Sequence, residues 1–200
     1  MLAAILMECP TEELVVADDV TLRDMAPGDV KVKIAHSGVC HSDLSAMNGT
    51  IPQAPPAVLG HEGAGVVTDV GDGVTHVVPG DHVIIAFSPP CGTCPFCTGR
   101  NQPNLCINGL IAMASNPQFR RGDTVVGAMT GCGTFAEETI VPGMAAVKID
   151  KDVPLDVAAL VGCGVTTGVG AALNTAKVTP GSSVLVIGAG GVGVAAIQGC

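Results

Sequence analysis

The segment "LGHEGAGVVTDVGDGV", residues 59–74, joins two potential metal ligands to a glycine-rich strand pattern. His61 and Glu62 come first, and glycines follow at positions 63, 65, 71 and 73. The part "GAGVVTDV" predicts a β-strand, because β-branched residues favour the pleated backbone. A lone histidine is more often structural than a ligand, so this segment indicates a metal site only if other donors meet it in space.

Further strands are predicted on both sides of this segment. Three Pro-Gly pairs suit type II turns and precede valine-rich runs, namely "APGDVKVKI", "VPGDHVIIAF" and "TPGSSVLVI". The first two runs, together with "AAILME", "GAGVVTDV" and "EETIVP", predict an antiparallel, barrel-like domain over residues 1 to about 150. Residues 155–173 show helical apolar spacing interrupted by glycine, which predicts a short helix, a break around 162–164 and a second helix.

Composition and charge exclude several classes of partner. The chain of 200 residues is 48% apolar and 14% charged, which is typical of a globular protein, and its net charge is −9. Proteins bind nucleic acids and anionic membranes through clustered Lys and Arg, so neither is expected as a partner. The longest apolar run, 184–197, is short and contains glycines, and the first ten residues lack a basic signal-peptide region. We therefore expect a cytoplasmic protein without a membrane span.

The segment "CGTCPFCTGRNQPNLC" places Cys91, Cys94, Cys97 and Cys106 in a C-x2-C-x2-C-x8-C pattern. Four thiolates complete a tetrahedral zinc site and leave no open position, so the predicted role is structural. A redox C-x-x-C pair and unligated cysteines fit this spacing poorly. An iron–sulfur cluster is the better alternative, although the bacterial pattern has a three-residue last gap followed by proline.

The chain ends in a second glycine motif, "VLVIGAGGVGVAAIQGC", where Gly188, Gly190 and Gly193 form G-x-G-x-x-G. The preceding run, Val184–Ile187, is predicted to be a buried strand that leads into a helix. This context favours a dinucleotide-binding turn over a glycine-lined contact between helix and sheet. The acidic residue that distinguishes NAD from NADP lies about 20 residues further on, past residue 200, so both cofactors stay open.

Five motifs together resemble zinc-dependent medium-chain alcohol dehydrogenases, of the branch that includes glutathione-dependent formaldehyde dehydrogenases. The family signature G-H-E-x-x-G-x5-G-x2-V is matched by residues 60–74. "GVCHSD" precedes it, and the cysteine lobe, "GCGVTTG" and the terminal glycine motif follow in family order. The resemblance implies a mixed fold. A GroES-like β-barrel-type catalytic domain spans 1–164 with a structural-zinc lobe at 91–106. Residues 165–200 would be a linker helix and the first β-α unit of a truncated α/β Rossmann domain.

The same resemblance implies the site residues. The expected metal ligands are those of a catalytic zinc (Cys40, His61, Cys163) and of a structural zinc (Cys91, Cys94, Cys97, Cys106). The expected catalytic or supporting residues are His41 near the cofactor pyrophosphate, Ser42 in a proton relay, Asp43 orienting His61, and Glu62 beside the zinc. The expected cofactor contacts are Thr167, Gly188, Gly190, Gly191, Val192 and Gly193.

Three positions outside these sets carry separate expectations. Ser45 stands where many relatives end the proton relay with histidine, which is a departure from the family pattern. Phe87 is either a substrate-pocket aromatic or a core aromatic. The remaining cysteines, Cys9, Cys132 and Cys200, match no ligand position and are interpreted as ordinary thiols.

The implied activity is hydride transfer between an alcohol, or an aldehyde in reverse, and NAD or NADP. The implied partners are small-molecule substrates and, in the full-length protein, further copies of the chain in a dimer or tetramer. The alternative is a non-catalytic zinc-binding fragment that does not bind cofactor.

Overall fold

The computed structural model describes residues 1–114 and 117–200, and this part of the chain contains eleven β-strands. In chain order they are β1 (Ala3–Leu6), β2 (Val15–Ala17), β3 (Val20–Leu22), β4 (Asp29–Gly38), β5 (Ala57–Val58), β6 (Glu62–Val70), β7 (His82–Ile85), β8 (Phe119–Arg121), β9 (Thr124–Ala128), β10 (Glu138–Pro142) and β11 (Ala146–Ile149). They form a six-stranded sheet in the order β2-β1-β5-β9-β8-β3 and a five-stranded sheet in the order β10-β4-β6-β7-β11.

The strand pairs are antiparallel except for β5 and β9, which run parallel. The longest strands, β4 and β6, pair from Val30–Val70 to Gly38–Glu62 and carry two register shifts. The five-stranded sheet covers a valine-rich core that includes Val32, Val83 and Val141. These curled sheets confirm the predicted barrel-like domain. The sequence does not predict the other strands, β2, β3, β5, β8, β9 and β11, each of which has five residues or fewer.

The three Pro-Gly pairs adopt the predicted turn geometry, but they do not all introduce strands. Gly28, Gly80 and Gly181 have φ values of 84°, 90° and 86°, as the third residue of a type II turn requires. The first two turns lead into β4 and β7.

The prediction of a buried strand at Val184–Ile187 is wrong for this structure. No strand is assigned there, and Leu185 and Ile187 are 83% and 92% exposed. A strand needs a neighbour for its backbone hydrogen bonds, and no described residue pairs with this segment. The segment therefore has the composition of a buried strand without the sheet that would bury it.

Helices occur between the strands and after the last strand. The α-helices are α1 (His41–Met47), α2 (Pro95–Thr98) and α3 (Ile107–Ala114), a long helix called here the linker helix (Leu155–Ala176), and a C-terminal helix (Gly191–Gly199). Short 3-10 helices occur at Pro103–Leu105, Met129–Gly131 and Gly143–Ala145. The C-terminal helix begins within the glycine motif, as predicted.

The linker helix corrects the predicted break around Gly162–Gly164. The helix continues through these glycines as a π-helical stretch, Val161–Val165, and a second π-helical stretch, Ala171–Ala176, ends it. The wider π turn lets the chain pass the glycines without leaving the helix. The helix ends where Lys177 adopts a left-handed conformation with φ of 53°.

By length and composition alone, the linker helix could cross a membrane, because it has 22 residues and a mean hydropathy of 1.5. In the fold, however, Ala158 and Ala159 are buried against Ala64 of β6. The helix therefore packs on the barrel, and the expected absence of a membrane span stays a prediction.

Candidate active site and metal centres

The first metal-binding candidate, Cys40, lies immediately before α1 and caps it. Its sulfur accepts a hydrogen bond from Ser42 N at 3.5 Å, while its backbone N–H donates to Asp43 Oδ2 at 2.9 Å. This reciprocal arrangement satisfies free N–H groups of the first turn, as a Ser-based capping box does. The hydrogen-bonding that starts the helix therefore also fixes the position of the thiol.

His61 lies just before β6, in a segment that hydrogen bonds hold from two sides. Thr134 N donates to Gly60 O at 3.0 Å, and Gly60 N donates to Asp43 Oδ1 at 3.0 Å. Gly60 has a φ of +86°, and a side chain there would collide with Phe135 and Thr134. Glycine at position 60 therefore lets the segment lie against both neighbours, which turns His61 inward, where it is 2% exposed.

The structure brings Cys40, His61 and Cys163 together with Glu62. One ligand atom from each of these four residues lies within 4.8 Å of every other. Cys40 immediately precedes α1, His61 and Glu62 lie at the start of β6, and Cys163 belongs to the linker helix. His61 Nδ1 is 3.4 Å from Asp43 Oδ1, although no described atom accepts a hydrogen bond from it. A carboxylate beside one ring nitrogen commonly orients a ligand histidine, so Asp43 is the candidate for that role. Two thiols and an imidazole fit a zinc ion with an open position.

Electrostatics also favour a cation at this group. Burial opposes the charge on His61, but Asp43 and Cys163 outweigh it and raise the pKa of the imidazole to about 10. Burial likewise opposes ionisation of Cys40, but the hydrogen bonds from Ser42 and His61 prevail and lower the pKa of its thiol. A metal ion would displace the proton from His61, since only the neutral imidazole is a ligand.

Replacing Asp43 with asparagine is expected to weaken metal binding at this group by about 10–100-fold, the usual cost of losing a group that supports a ligand. Asp43 is 3% exposed, and its two oxygens accept from Cys40 N and Gly60 N. An amide keeps only one oxygen, so one of those N–H groups loses its acceptor. The rate of zinc release to a chelator measures the effect.

The matched control is Asp123→Asn, because Asp123 is exposed in the turn between β8 and β9. It should release zinc at the rate of the unmodified protein. Equal release rates for the two variants would show that Asp43 does not support the site.

The second cysteine group lies in the lobe that carries α2 and α3. Cys94 Sγ is 3.6 Å from Cys97 Sγ and 3.8 Å from Cys106 Sγ, and none of the nine cysteines forms a disulfide. Four sulfurs, each about 2.3 Å from one zinc ion, lie about 3.8 Å apart. The group therefore has the size of a single tetrahedral ion and leaves no room for the inorganic sulfide of an iron–sulfur cluster.

Backbone N–H groups converge on the lobe sulfurs. Cys106 Sγ accepts from Cys91 N at 3.2 Å and from Gly109 N at 3.3 Å. Hydrogen bonds from Thr93 and from the backbone lower the pKa of Cys91 to about 5, whereas burial raises the pKa of Cys97 to about 12. Four thiolates so close together repel one another, so all of them ionise only when a cation joins them.

The glycine motif at the end of the chain has the geometry of a tight turn before a helix. Gly188 has a φ of +100°, and a side chain at Gly193 would overlap the carbonyl of Gly188. Gly190 caps the C-terminal helix, and the space that a side chain would fill at Gly190 or Gly191 is open. Val192, the last predicted contact in this loop, is 48% exposed. An anion could therefore reach this helix N-terminus.

The other predicted residues lie on the same elements as the first metal group or contact one of its members. Ser42 Oγ is 3.6 Å from Cys40 Sγ, His41 is exposed at the start of α1, and Thr167 is exposed on the linker helix. The rings of Phe87 and His61 meet edge to face, with their centroids 5.8 Å apart. Phe87 also packs against the valine core. Both interpretations of Phe87 are therefore compatible with its position.

Sequence reasoning missed the residues that hold the His61 segment from the opposite wall. Thr134 is 1% exposed, and its hydroxyl is 2.7 Å from Ser37 Oγ as well as close to Gly60. Nothing in the local pattern around Thr134 indicates this role, because its partners lie far away in the sequence. Asp43 and Glu62, by contrast, are close to ligands in the sequence and belong to recognisable motifs.

Residues 26–151 match the sequence model of the alcohol dehydrogenase GroES-like domain. The chain belongs to this family. The family region contains Cys40, His61 and the four lobe cysteines, so both cysteine-containing groups begin inside the GroES-like domain.

Curated relatives of this GroES-like chain are dehydrogenases. It is 47% identical over 187 residues to an S-(hydroxymethyl)glutathione dehydrogenase of Photobacterium damsela subsp. piscicida, which covers 88% of this chain and 50% of that protein. It is 46% identical over 190 residues to alcohol dehydrogenase B of Mycobacterium tuberculosis, covering 91% and 50%. The chain thus spans about half the length of the curated relatives it matches.

Solved structures share the fold of the GroES-like chain. Benzyl alcohol dehydrogenase from Acinetobacter calcoaceticus superposes with a TM-score of 0.86 at 32% identity, covering 99% of this chain and 54% of that one. An alcohol dehydrogenase zinc-binding domain protein from Burkholderia ambifaria gives a TM-score of 0.90 at 30% identity, covering 99% and 55%. The likeness extends over nearly the whole chain, including the linker helix.

Proposed function

We propose that the protein containing this chain is a zinc-dependent alcohol dehydrogenase that transfers hydride between an alcohol and NAD or NADP. The observation that carries the proposal is the meeting of Cys40, His61 and Cys163 around a space for one ion. Relatives at 45–47% identity are named alcohol or S-(hydroxymethyl)glutathione dehydrogenases. Alcohols and the hydroxymethyl adducts of thiols are therefore the proposed substrate class.

Cys40, His61 and Cys163 would hold the catalytic zinc, and the four lobe cysteines would hold the structural one. Zinc with an open coordination position acts as a Lewis acid toward the substrate oxygen. Ser42, whose Oγ is 3.6 Å from Cys40 Sγ, would accept the hydroxyl proton and pass it toward solvent. With Ser45 where many relatives have histidine, water would complete this transfer.

The remaining roles concern the cofactor. Gly188 to Gly193 would receive the pyrophosphate at the start of the C-terminal helix, with His41 as a nearby cation. Thr167 would contact the nicotinamide side, one helical turn beyond Cys163. The predicted division at residue 164 falls within the linker helix, which would carry both a metal ligand and a cofactor contact.

The test uses the whole protein. We expect two zinc ions per chain and formation of reduced cofactor when a primary alcohol is supplied. A parallel assay with formaldehyde and glutathione separates the two substrate types. No activity in either assay, or fewer than two zinc ions, would contradict the proposal. Light scattering on the same sample tests the proposed dimer or tetramer, and fractionation of cells that express the whole protein tests the proposed cytoplasmic location.

A second candidate is a zinc-binding module without cofactor binding, which the exposure of Leu185 and Ile187 favours for residues 1–200 taken alone. In the described residues, the glycine motif has one helix and no sheet around it. Calorimetric titration of the 200-residue chain with NAD measures its cofactor affinity and distinguishes this candidate from a chain that binds cofactor. Micromolar affinity would exclude this candidate, and millimolar or absent affinity would support it.

A further inference from the structure

Glu62 has a buried carboxylate that contacts two glycines from different parts of the chain. It is the first residue of β6, is 5% exposed, and faces Gly38 at the end of β4. Its Oε1 accepts a hydrogen bond from Gly164 N at 3.2 Å, across 102 residues of sequence. The carboxylate thus joins the barrel to the linker helix beside Cys163.

Gly38 leaves the space in which this carboxylate lies. A Cβ atom at position 38 would overlap Glu62 Oε2 and come within 3.1 Å of Leu160 Cδ2. Leu160 precedes the π-helical stretch of the linker helix. Glycine at position 38 therefore lets both the acid and the helix approach the end of β4.

The segment that carries Cys163 depends on close backbone contacts. Gly162 lies so near the barrel that a Cβ atom there would be 3.0 Å from Ile85 O. One turn earlier Ala158 and Ala159 are buried against Ala64, with Leu155 of the same helix packed beside them. Such apolar contacts are not directional. The hydrogen bond from Gly164 to Glu62 is directional, so it specifies where the following turn lies.

We propose that Glu62 is a positioning residue that holds Cys163 in the metal site through the Gly164 N–H, with Gly38 providing the space. This inference rests on the catalytic metal site proposed above. Burying an acid is costly unless its oxygens are bonded, and the hydrogen bond from Gly164 N offsets part of that cost for Glu62. The same hydrogen bond positions Cys163, which is distant in the sequence from Cys40 and His61 and is not held near them by any local turn.

Glu62→Gln separates this role from that of a charged or metal-binding acid. The amide oxygen can still accept from Gly164 N, but the side chain has lost its charge and most of its affinity for metals. Glu62→Ala removes the acceptor completely. Gly38→Ala retains the Glu62 carboxylate but displaces it from the Gly164 N–H, because the added methyl group would overlap Glu62 Oε2.

The experiment measures zinc release from the whole protein to a chelator, with the release of the lobe ion as an internal reference. We expect Glu62→Ala and Gly38→Ala to lose the catalytic ion about tenfold faster or more, while Glu62→Gln stays within a few-fold of the unmodified protein. Amide hydrogen exchange in the zinc-free protein provides a second measurement, because the Gly164 N–H should be protected only when its acceptor is present.

Two results would overturn the inference. One is a Glu62→Gln variant that loses zinc as fast as Glu62→Ala, which would indicate a charge or ligand role. The other is a Gly164 amide in the unmodified protein that exchanges like an exposed one, a measurement that needs no variant to fold. If the unmodified protein holds only the lobe ion, the proposed catalytic site itself fails. Two ions with no effect of Glu62→Ala would contradict this inference alone.

Discussion

Cys163→Ala is expected to remove one of two zinc ions per chain and to abolish alcohol oxidation. Cys163 supplies one of the two thiols in the group with Cys40 and His61. Removing a residue that only supports a ligand typically costs about 10–100-fold in activity. Loss of the Cys163 thiol, a ligand itself, should reduce kcat/KM by more than that. Elemental analysis of the purified protein counts the ions, and cofactor reduction measures the activity.

The control for this variant is Cys9→Ala. Cys9 lies outside both cysteine groups, where its thiol donates to Ala46 O at 3.4 Å. It should retain both ions and full activity. A Cys163→Ala protein that still holds two zinc ions would show that the catalytic metal is bound elsewhere or that Cys163 is not a ligand.

Cys106→Ala should have the second large effect, the loss of the structural ion together with unfolding of the lobe. Cys106 is 5% exposed, and its sulfur accepts two backbone N–H groups and lies 3.8 Å from Cys94 Sγ. In α2 and in the 3-10 helix at Pro103–Leu105 no residue is buried, so the lobe has little apolar core of its own. Zinc binding by such small units contributes apparent folding free energy of about 10–16 kcal/mol in isolated peptides.

Limited proteolysis measures this effect, with cleavage expected between β7 and β8 in the variant only. The Cys163→Ala protein serves as the reciprocal control, since it should keep the lobe ion and resist cleavage there. A Cys106→Ala protein with an intact, protease-resistant lobe would contradict a structural role for the ion.

The lobe and the first metal group differ in how far the sequence alone predicts them. The lobe cysteines lie within sixteen consecutive residues, so their spacing is enough to indicate one shared ion. Cys40, His61 and Cys163 lie far apart in the chain, and in the sequence only the family resemblance suggests that they meet. Their approach depends on barrel contacts such as that of Thr134 with Gly60, which no local pattern reveals.

Two expectations about the second half of the chain fail because local pattern is not sufficient there. Glycines at 162 and 164 predict a break in the linker helix, but packing on the barrel keeps the segment helical in a wider π turn. The run at Val184–Ile187 has the composition of a strand, yet no described neighbour pairs with it. Helix continuity and strand formation are both decided by what lies beside the segment.

By itself, the sequence determined the elements whose interactions are local. These are the Pro-Gly turns, the main barrel strands, the cysteine lobe and the helix that starts in the terminal glycines. Only the tertiary structure decided that Glu62 bonds to Gly164, that Asp43 serves both Cys40 and Gly60, and that Thr134 supports the His61 segment. The reason is physical: these contacts join residues that are distant in the chain, and only the packing of the barrel and linker helix brings them within bonding distance.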